Sequence, residues 1–227
     1  WKNDWGQGRQ DMIYKYANLG YKTVMSNSSA FYFDMVYDKD LDNVGLSWSG
    51  YADYKDMWTV DVYDIFNDSY GVKKNNISKA YIENSEKLKP AYRDNIIGIQ
   101  SQIWSETIRN ENILDYMFMP NIIVFSQKAW SKDPKWMSIQ DQTEREITLN
   151  YEWNKFTNSI GQRVLPIVEN IYGGLTYDLP KPGGVIKNDS LYANSAFPGL
   201  NIKYTLDGSL PNIESMNYNN PVEIDQD

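Results

Sequence analysis

Two short runs each carry an aromatic ring and a carboxylate two residues apart: Tyr32-Phe33-Asp34 and Trp104-Ser105-Glu106. In an extended chain, positions i and i+2 share a face. Tyr32 with Asp34, and Trp104 with Glu106, can then reach one pocket while Phe33 turns the other way. Rings stack on sugar faces and carboxylates accept from sugar hydroxyls, so this pairing suits a carbohydrate. The bland alternative at each place is a core ring beside a solvated acid, and the residue types alone leave both readings open. Two strands that end in the same aromatic-x-acid pattern are harder to dismiss than either alone.

What the chain lacks narrows its chemistry. Its 227 residues include no His and no Cys. A Ser-His-Asp or Cys-His triad cannot be assembled within it, and neither can a zinc site built on His or Cys. Carboxylate, Tyr and Lys remain. With 22 Lys+Arg against 30 Asp+Glu the net charge is −8, which argues against nucleic acid or an anionic membrane as partner. No apolar run approaches the ~20 residues that a membrane span needs. Asp38, Asp40 and Asp42 alternate like the start of a calcium loop. Its sixth and twelfth positions should be Gly and Glu but are Asn43 and Ser49, which favours a solvated acidic loop.

The elements that must position these residues can be read in order. Asp11 to Asn18 is expected as a helix with Met12, Ile13, Tyr16 and Ala17 on its inner face and Gly20 as its left-handed cap. Tyr21 to Met25 reads as a strand, Ser26 to Met57 as a long loop holding Trp48, and Trp58 to Phe66 as a short helix. The stretch Ile96 to Thr107 begins as a β-branched strand covered on both faces, with Gly98 leaving room for a neighbouring backbone. It ends in the Trp104–Glu106 mouth, where α/β barrels carry their sites. Asn110 caps the next helix and Pro120 breaks it; Ile122, Phe125, Ala129 and Trp130 continue the buried face. Thr143 and Glu146 form a capping box for a helix running to about Ile160. From Gly173-Gly174 the chain is Pro- and Gly-punctuated, and Ile202 to Leu206, Asp207-Gly208 and Ser209 to Pro211 read as strand, turn, strand.

Only two convincing parallel strands and about four helices precede Gly173, whereas a closed (β/α)₈ barrel takes ~250 residues. The expected fold class is therefore α/β. Residues 1–172 form the C-terminal portion of a TIM barrel, and 173–227 an incomplete, sandwich-like all-β module. The chain opens on Trp1 without Met or a signal pattern, so it is expected to be a fragment.

These residues resemble glycoside hydrolase family 20, the β-N-acetylhexosaminidases and chitobiases. Ile103-Trp104-Ser105-Glu106 is similar to the family's last-strand Leu-Trp-Ser-Glu, and Tyr32-Phe33-Asp34 to its Tyr-x-Asp. Gly20 to Ser26 resembles the preceding strand, and Met119 to Trp130 a Pro-Arg…Ala-Glu…Trp helix. That helix departs from the pattern at Asn121 and Ser126-Gln127, which puts buried ion pairs there in doubt. Leu179 to Gly184 and Ile202 to Pro211 resemble the β module that follows the barrel in chitobiase-type members.

The resemblance implies substrate-assisted retaining hydrolysis, in which the sugar's own acetamide oxygen attacks C1. Tyr32 would hydrogen-bond that oxygen, and Asp34 and Glu106 would hold the 6- and 4-hydroxyls. Trp104 would stack on the sugar, Trp48 would border the pocket, and Trp1 (with Trp5 as fallback) would match a Trp of the acetamide pocket. The family's catalytic Asp-Glu pair is expected before Trp1, so the partners implied are an N-acetylhexosamine glycan and the N-terminal half of the same protein. No cofactor or metal is implied, and the location would be secreted, periplasmic or cell-surface. A non-catalytic glycan-binding relative and a structural surface protein are the alternatives.

Overall fold

A computed structural model describes residues 2, 10–66 and 78–224. The chain divides into two compact units, Trp1–Met137 and Ser138–Asp227. No helix among the described residues is long and apolar enough to cross a membrane.

In the first unit, α1 (Met12–Asn18) buries Ile13, Tyr14 and Ala17. Tyr14 thus takes the inward place expected for Tyr16, which is 41% exposed. The cause is polar. The Tyr14 hydroxyl accepts from the Ile65 N–H at 2.8 Å and donates to the Val62 carbonyl at 3.2 Å, so its burial leaves nothing unpaired. Gly20 ends the helix as expected, at φ +93, with its N–H on the Ala17 carbonyl.

β1 (Thr23–Met25) is followed by a short helix, α2 (Ser28–Phe31). The segment expected to be a long loop therefore holds structure of its own. It also holds the start of α3 (Tyr54–Thr59), which lies earlier than the expected 58–66. The Asp53 carboxylate sets that start by accepting from the Asp56 N–H at 2.8 Å. Past Val60, the Asp61 side chain accepts from the Tyr63 and Asp64 N–H groups, which holds a turn in place of the expected helix. Asp38 and Asp40 likewise cap the backbone of Asp40 and Asp42, so the acidic run is a chain of local turns.

After α4 (Lys79–Asn84), β2 (Ile96–Ile99) pairs parallel with β1, and Lys2 bridges the opposite edge of β1, also parallel. The expected cover on both faces of β2 is not met among the described residues. Ile96 is buried, Ile97 is 59% exposed, and nothing lies within 4 Å of where a Gly98 side chain would start.

α5 (Glu111–Phe118) begins at Asn110, whose side chain accepts from the Ile113 N–H, as expected. Pro120 separates it from α6 (Asn121–Trp130). The inner face of α6 is narrower than expected: Val124 is fully buried and Trp130 is 89% exposed. Asn121 is buried and donates to the Tyr37 hydroxyl and the Met117 carbonyl, both at 2.9 Å. This neutral tie anchors the residues just before the acidic turns.

In the second unit, α7 (Gln142–Ser159) continues through a π turn into α8 (Leu165–Val168). Asp141 is its cap, accepting from the Glu144 N–H at 2.8 Å, rather than the expected Thr143–Glu146 box. The β module has β3 (Gly183–Lys187), β4 (Ser190–Asn194), β5 (Lys203–Tyr204), β6 (Met216–Asn217) and β7 (Val222–Glu223). They form a three-stranded β3-β4-β7 sheet and a β5-β6 pair, all antiparallel. The Asp207-Gly208 turn forms as expected, but β5 pairs with 216–217 instead of 209–211. Pro211 has no N–H to give a ladder, and the Asn212 N–H is taken by the Ser215 hydroxyl.

Candidate functional site

The pairing of β1 with β2 runs on past both strands and delivers the two aromatic-x-acid runs side by side. The Gln100 N–H donates to the Met25 carbonyl at 2.8 Å, Tyr32 bridges Gln102, and the Phe33 N–H donates to the Gln102 carbonyl at 2.8 Å. A short hydrogen bond from the Ser26 hydroxyl to the Gln102 side chain ties the strand ends below. Phe33 then points away from the site. Its ring packs on Phe118 and Phe125, with centroids 6.3 and 5.9 Å apart, and Phe31 joins Phe125 at 5.7 Å. Burying Phe33 there commits Tyr32 and Asp34 to the opposite side.

On that side Tyr32 meets two indoles. Trp48 stands edge-on to it at 6.1 Å and 82°, and Trp104 is tilted at 6.1 Å and 55°. The loop carrying Trp48 is held by backbone bonds. The Leu46 N–H donates to the Asp34 carbonyl at 2.8 Å and the Val36 N–H to the Leu46 carbonyl at 2.9 Å. Gly45, at φ +144, makes this approach possible, because a Cβ there would sit 2.8 Å from the Val36 nitrogen and 2.9 Å from the Asp34 carbonyl oxygen. Beyond Trp48, the Ser49 hydroxyl donates to that of Ser28 at 2.8 Å.

The result is an open hollow of about 440 Å³ lined by Tyr32, Asp34, Trp48, Trp104 and Glu106. Its floor is buried, with Tyr32 4% and Asp34 1% exposed. Its rim is open, with Trp48 54% and Trp104 43% exposed and Glu106 exposed as well. The sixth residue expected of the site, Trp1, lies outside the described residues.

Asp34 dominates the electrostatics. Neither of its carboxylate oxygens has a hydrogen-bond partner among the described residues. Burial pushes its carboxyl above the ordinary carboxylate value. The N–H groups of Asp34 and Trp104 pull it down from beyond hydrogen-bonding geometry, and the neighbouring Glu106 adds a further push upward. A buried carboxylate without donors is costly. A ligand bringing hydroxyls into a ring-walled hollow supplies the missing donors and gives the rings a face to stack on.

Two supporting residues, Gln102 and Gly45, escaped the sequence reading, and a third, Phe125, was placed on a buried face without its partners. Gln102 had a usable signal, since it continues the i, i+2 alternation back from Trp104 and Glu106. Gly45 could have been suspected only as an isolated glycine before an aromatic loop. Phe125 pairs with Phe31 and Phe33 across some ninety residues, which no local pattern reveals.

Comparison with known proteins gives two matches along the chain. The pattern of the glycosyl hydrolase family 20 catalytic domain matches residues 2–133, and that of the chitobiase/beta-hexosaminidase C-terminal domain matches residues 169–227. The N,N'-diacetylchitobiase of Vibrio harveyi is 30% identical over 215 residues, covering 88% of this chain and 23% of that protein. The beta-hexosaminidase of Vibrio vulnificus is 29% identical over 224 residues, covering 90% of this chain and 26% of that protein. The chain thus spans about a quarter of the length of these curated relatives. Among solved structures, a GH20 exo-beta-N-acetylglucosaminidase from Vibrio harveyi in complex with N-acetylglucosamine is similar at 18% identity and a TM-score of 0.48. That match covers 78% of this chain and 21% of the other.

Proposed function

Because this chain belongs to glycosyl hydrolase family 20, we propose that it forms the sugar-holding wall of a β-N-acetylhexosaminidase that removes terminal N-acetylhexosamine from glycans or chito-oligosaccharides. The observation that carries this reading is the buried Asp34 carboxylate, without a hydrogen-bond partner on either oxygen among the described residues, at the floor of a hollow walled by Tyr32, Trp48 and Trp104.

In this reading the sugar stacks on Trp104, while Asp34 and Glu106 accept from its 6- and 4-hydroxyls. Charge-assisted bonds of this kind are among the stronger ones in a site. They fix the ring so that its own acetamide oxygen can reach C1 in line with the leaving group. Tyr32 donates its hydroxyl proton in a hydrogen bond to the acetamide oxygen and steadies the oxazolinium as it develops, which is help aimed at transition-state charge. The acid that protonates the leaving oxygen, with its companion carboxylate, is proposed to come from residues of a longer protein preceding Trp1. The longer protein is proposed to be secreted, periplasmic or cell-surface, where such glycans are met.

The test uses the full-length protein and a chromogenic N-acetylglucosaminide. Tyr32→Phe should lower kcat about 10- to 10²-fold with little change in KM. Glu106→Gln should lower kcat/KM about tenfold through the loss of one charge-assisted bond. Wild-type turnover in both variants would overturn the assignment. Sugar binding without any hydrolysis by the full-length protein would favour a glycan-binding relative instead.

A further inference from the structure

The loop that carries Trp48 doubles back on itself. The Val36 backbone joins its two arms: the N–H donates to the Leu46 carbonyl and the carbonyl accepts from the Ala52 N–H, each at 2.9 Å. A second set of bonds, made by side chains, fixes the loop to the junction of α5 and α6. The last carbonyls of a helix have no partner within it, and Tyr37 reaches that end of α5. Its hydroxyl donates to the Tyr116 carbonyl at 2.9 Å, with those of Met117 and Met119 3.4 Å away. The same hydroxyl accepts from the Asn121 amide at 2.9 Å. Nearer the loop tip, the Tyr116 hydroxyl donates to the Asn43 side-chain oxygen at 2.7 Å, and the Asn43 amide donates in a short bond to Asp38. The rings of Tyr37 and Tyr116 meet edge-on at 5.2 Å. Tyr37 and Leu46 both pack on the small core under the loop, which contains Tyr32.

We infer that this junction is a remote positioning device for Trp48: Tyr116, through Asn43, and Asn121, through Tyr37, hold the loop so that the indole stands ready at the rim, although neither Tyr116 nor Asn121 lines the hollow. The inference rests on the sugar-holding role proposed above and adds to it residues that act on a glycan without touching it. Asp34 and Tyr32 form the buried floor, where a terminal sugar is held, while Trp48 is more than half exposed. The free face of Trp48 is therefore open to what extends past the rim, the next unit of the chain, and not to the terminal sugar. A ring already in place binds that unit more tightly than one that must be ordered as the glycan arrives. The junction then governs how firmly an extended glycan is held and leaves the reacting sugar alone.

The experiment uses the full-length protein and two substrates that share one sugar. They are N-acetylglucosaminyl fluoride, whose leaving group is too small to reach the rim, and the chito-disaccharide of N-acetylglucosamine. Tyr116→Phe removes one hydroxyl and keeps the ring packed on Tyr37. It should raise KM for the disaccharide about five- to tenfold, with kcat on the disaccharide and both constants on the fluoride within about twofold of wild type. A loss of folded protein would lower turnover of both substrates alike. Asn43→Ala should reproduce the effect, and the double variant should be no worse than either single one, because all three break the same bond. In a Trp48→Ala background, Tyr116→Phe should change the disaccharide constants by less than about twofold.

Equal losses on the two substrates, a disaccharide KM unchanged in Tyr116→Phe, or an effect undiminished in the Trp48→Ala background overturns the inference and leaves the hexosaminidase reading standing. If wild type hydrolyses neither substrate, the reading above fails separately. Calorimetric binding of N-acetylglucosamine and of the disaccharide, to wild type and to Tyr116→Phe, then decides the positioning role by the same contrast. No binding of either sugar overturns both.

Discussion

Asp34 carries opposite consequences for stability and for binding. Burial and the neighbouring Glu106 raise its carboxyl above the ordinary value of 3.8. Between 3.8 and the raised value the folded protein holds this proton more tightly than the unfolded chain does. The stability that Asp34 contributes is therefore fully present below 3.8 and is lost as pH rises through the folded value. Asp34→Asn keeps the shape and removes the charge. At pH 7 it should raise the melting temperature by about 2–4 °C, corresponding to ~1 kcal/mol, and the gain should shrink toward zero near pH 4. The same variant should bind N-acetylglucosamine more weakly, as expected where a strained site exchanges stability for affinity. Melts of both proteins across that pH range check the sign. Asp61, whose carboxyl burial also raises, is present in both and cancels in the difference.

The element that holds the hollow open is the loop between Asp34 and Ala52, and Gly45 is its tight point. Gly45→Ala would push a Cβ to 2.8 Å from the Val36 nitrogen at a φ of +144, so the loop must move. The cost should be about 1–3 kcal/mol in stability. Trp48, 6.1 Å from Tyr32, should lose its place, read as a shift in tryptophan emission and a weaker response to added sugar. Ser49→Ala, which removes one half-buried hydroxyl contact to Ser28 and leaves the loop backbone unchanged, should leave the emission near wild type. The same loop marks what sequence can and cannot reveal. Helix α1 with Gly20, the Asn110 cap and the break at Pro120 were legible because each is decided by residues within one turn of chain. Where several candidate caps compete, the deciding bond is invisible in the sequence: Asp53 drew α3 toward its own N–H partners, and Asp141 displaced Thr143. The β5 hairpin was misread because its turn was legible and its partner strand, set by the missing N–H of Pro211, was not. The side-by-side delivery of Tyr32-x-Asp34 and Trp104-x-Glu106 was legible from period-2 alternation, whereas the phenylalanine packing that enforces it joins residues far apart in the chain.

At the scale of the whole molecule, β2 is the element that looks outward. It pairs with β1 on one edge only among the described residues, and Ile97 stands 59% exposed in a strand composed of three isoleucines and a glycine. Strands of that composition belong in parallel sheets buried on both faces. The chain spans about a quarter of its relatives' length, so the cover for Ile97 is proposed to come from the remainder of a longer protein. Ile97→Lys separates the two situations. In the 227-residue chain the substitution replaces an exposed side chain and should cost no more than about 0.5 kcal/mol. In a protein of its relatives' length that contains this chain, it would bury an unpaired ammonium and should cost several-fold more, about 2–5 kcal/mol, with insolubility the visible sign. Denaturant melts of the short and long proteins, each with and without the substitution, give the comparison. Equal costs at both lengths would mean that nothing in the longer protein covers β2, and with it would go the proposal that the acid acting on the leaving group reaches this hollow from a preceding segment.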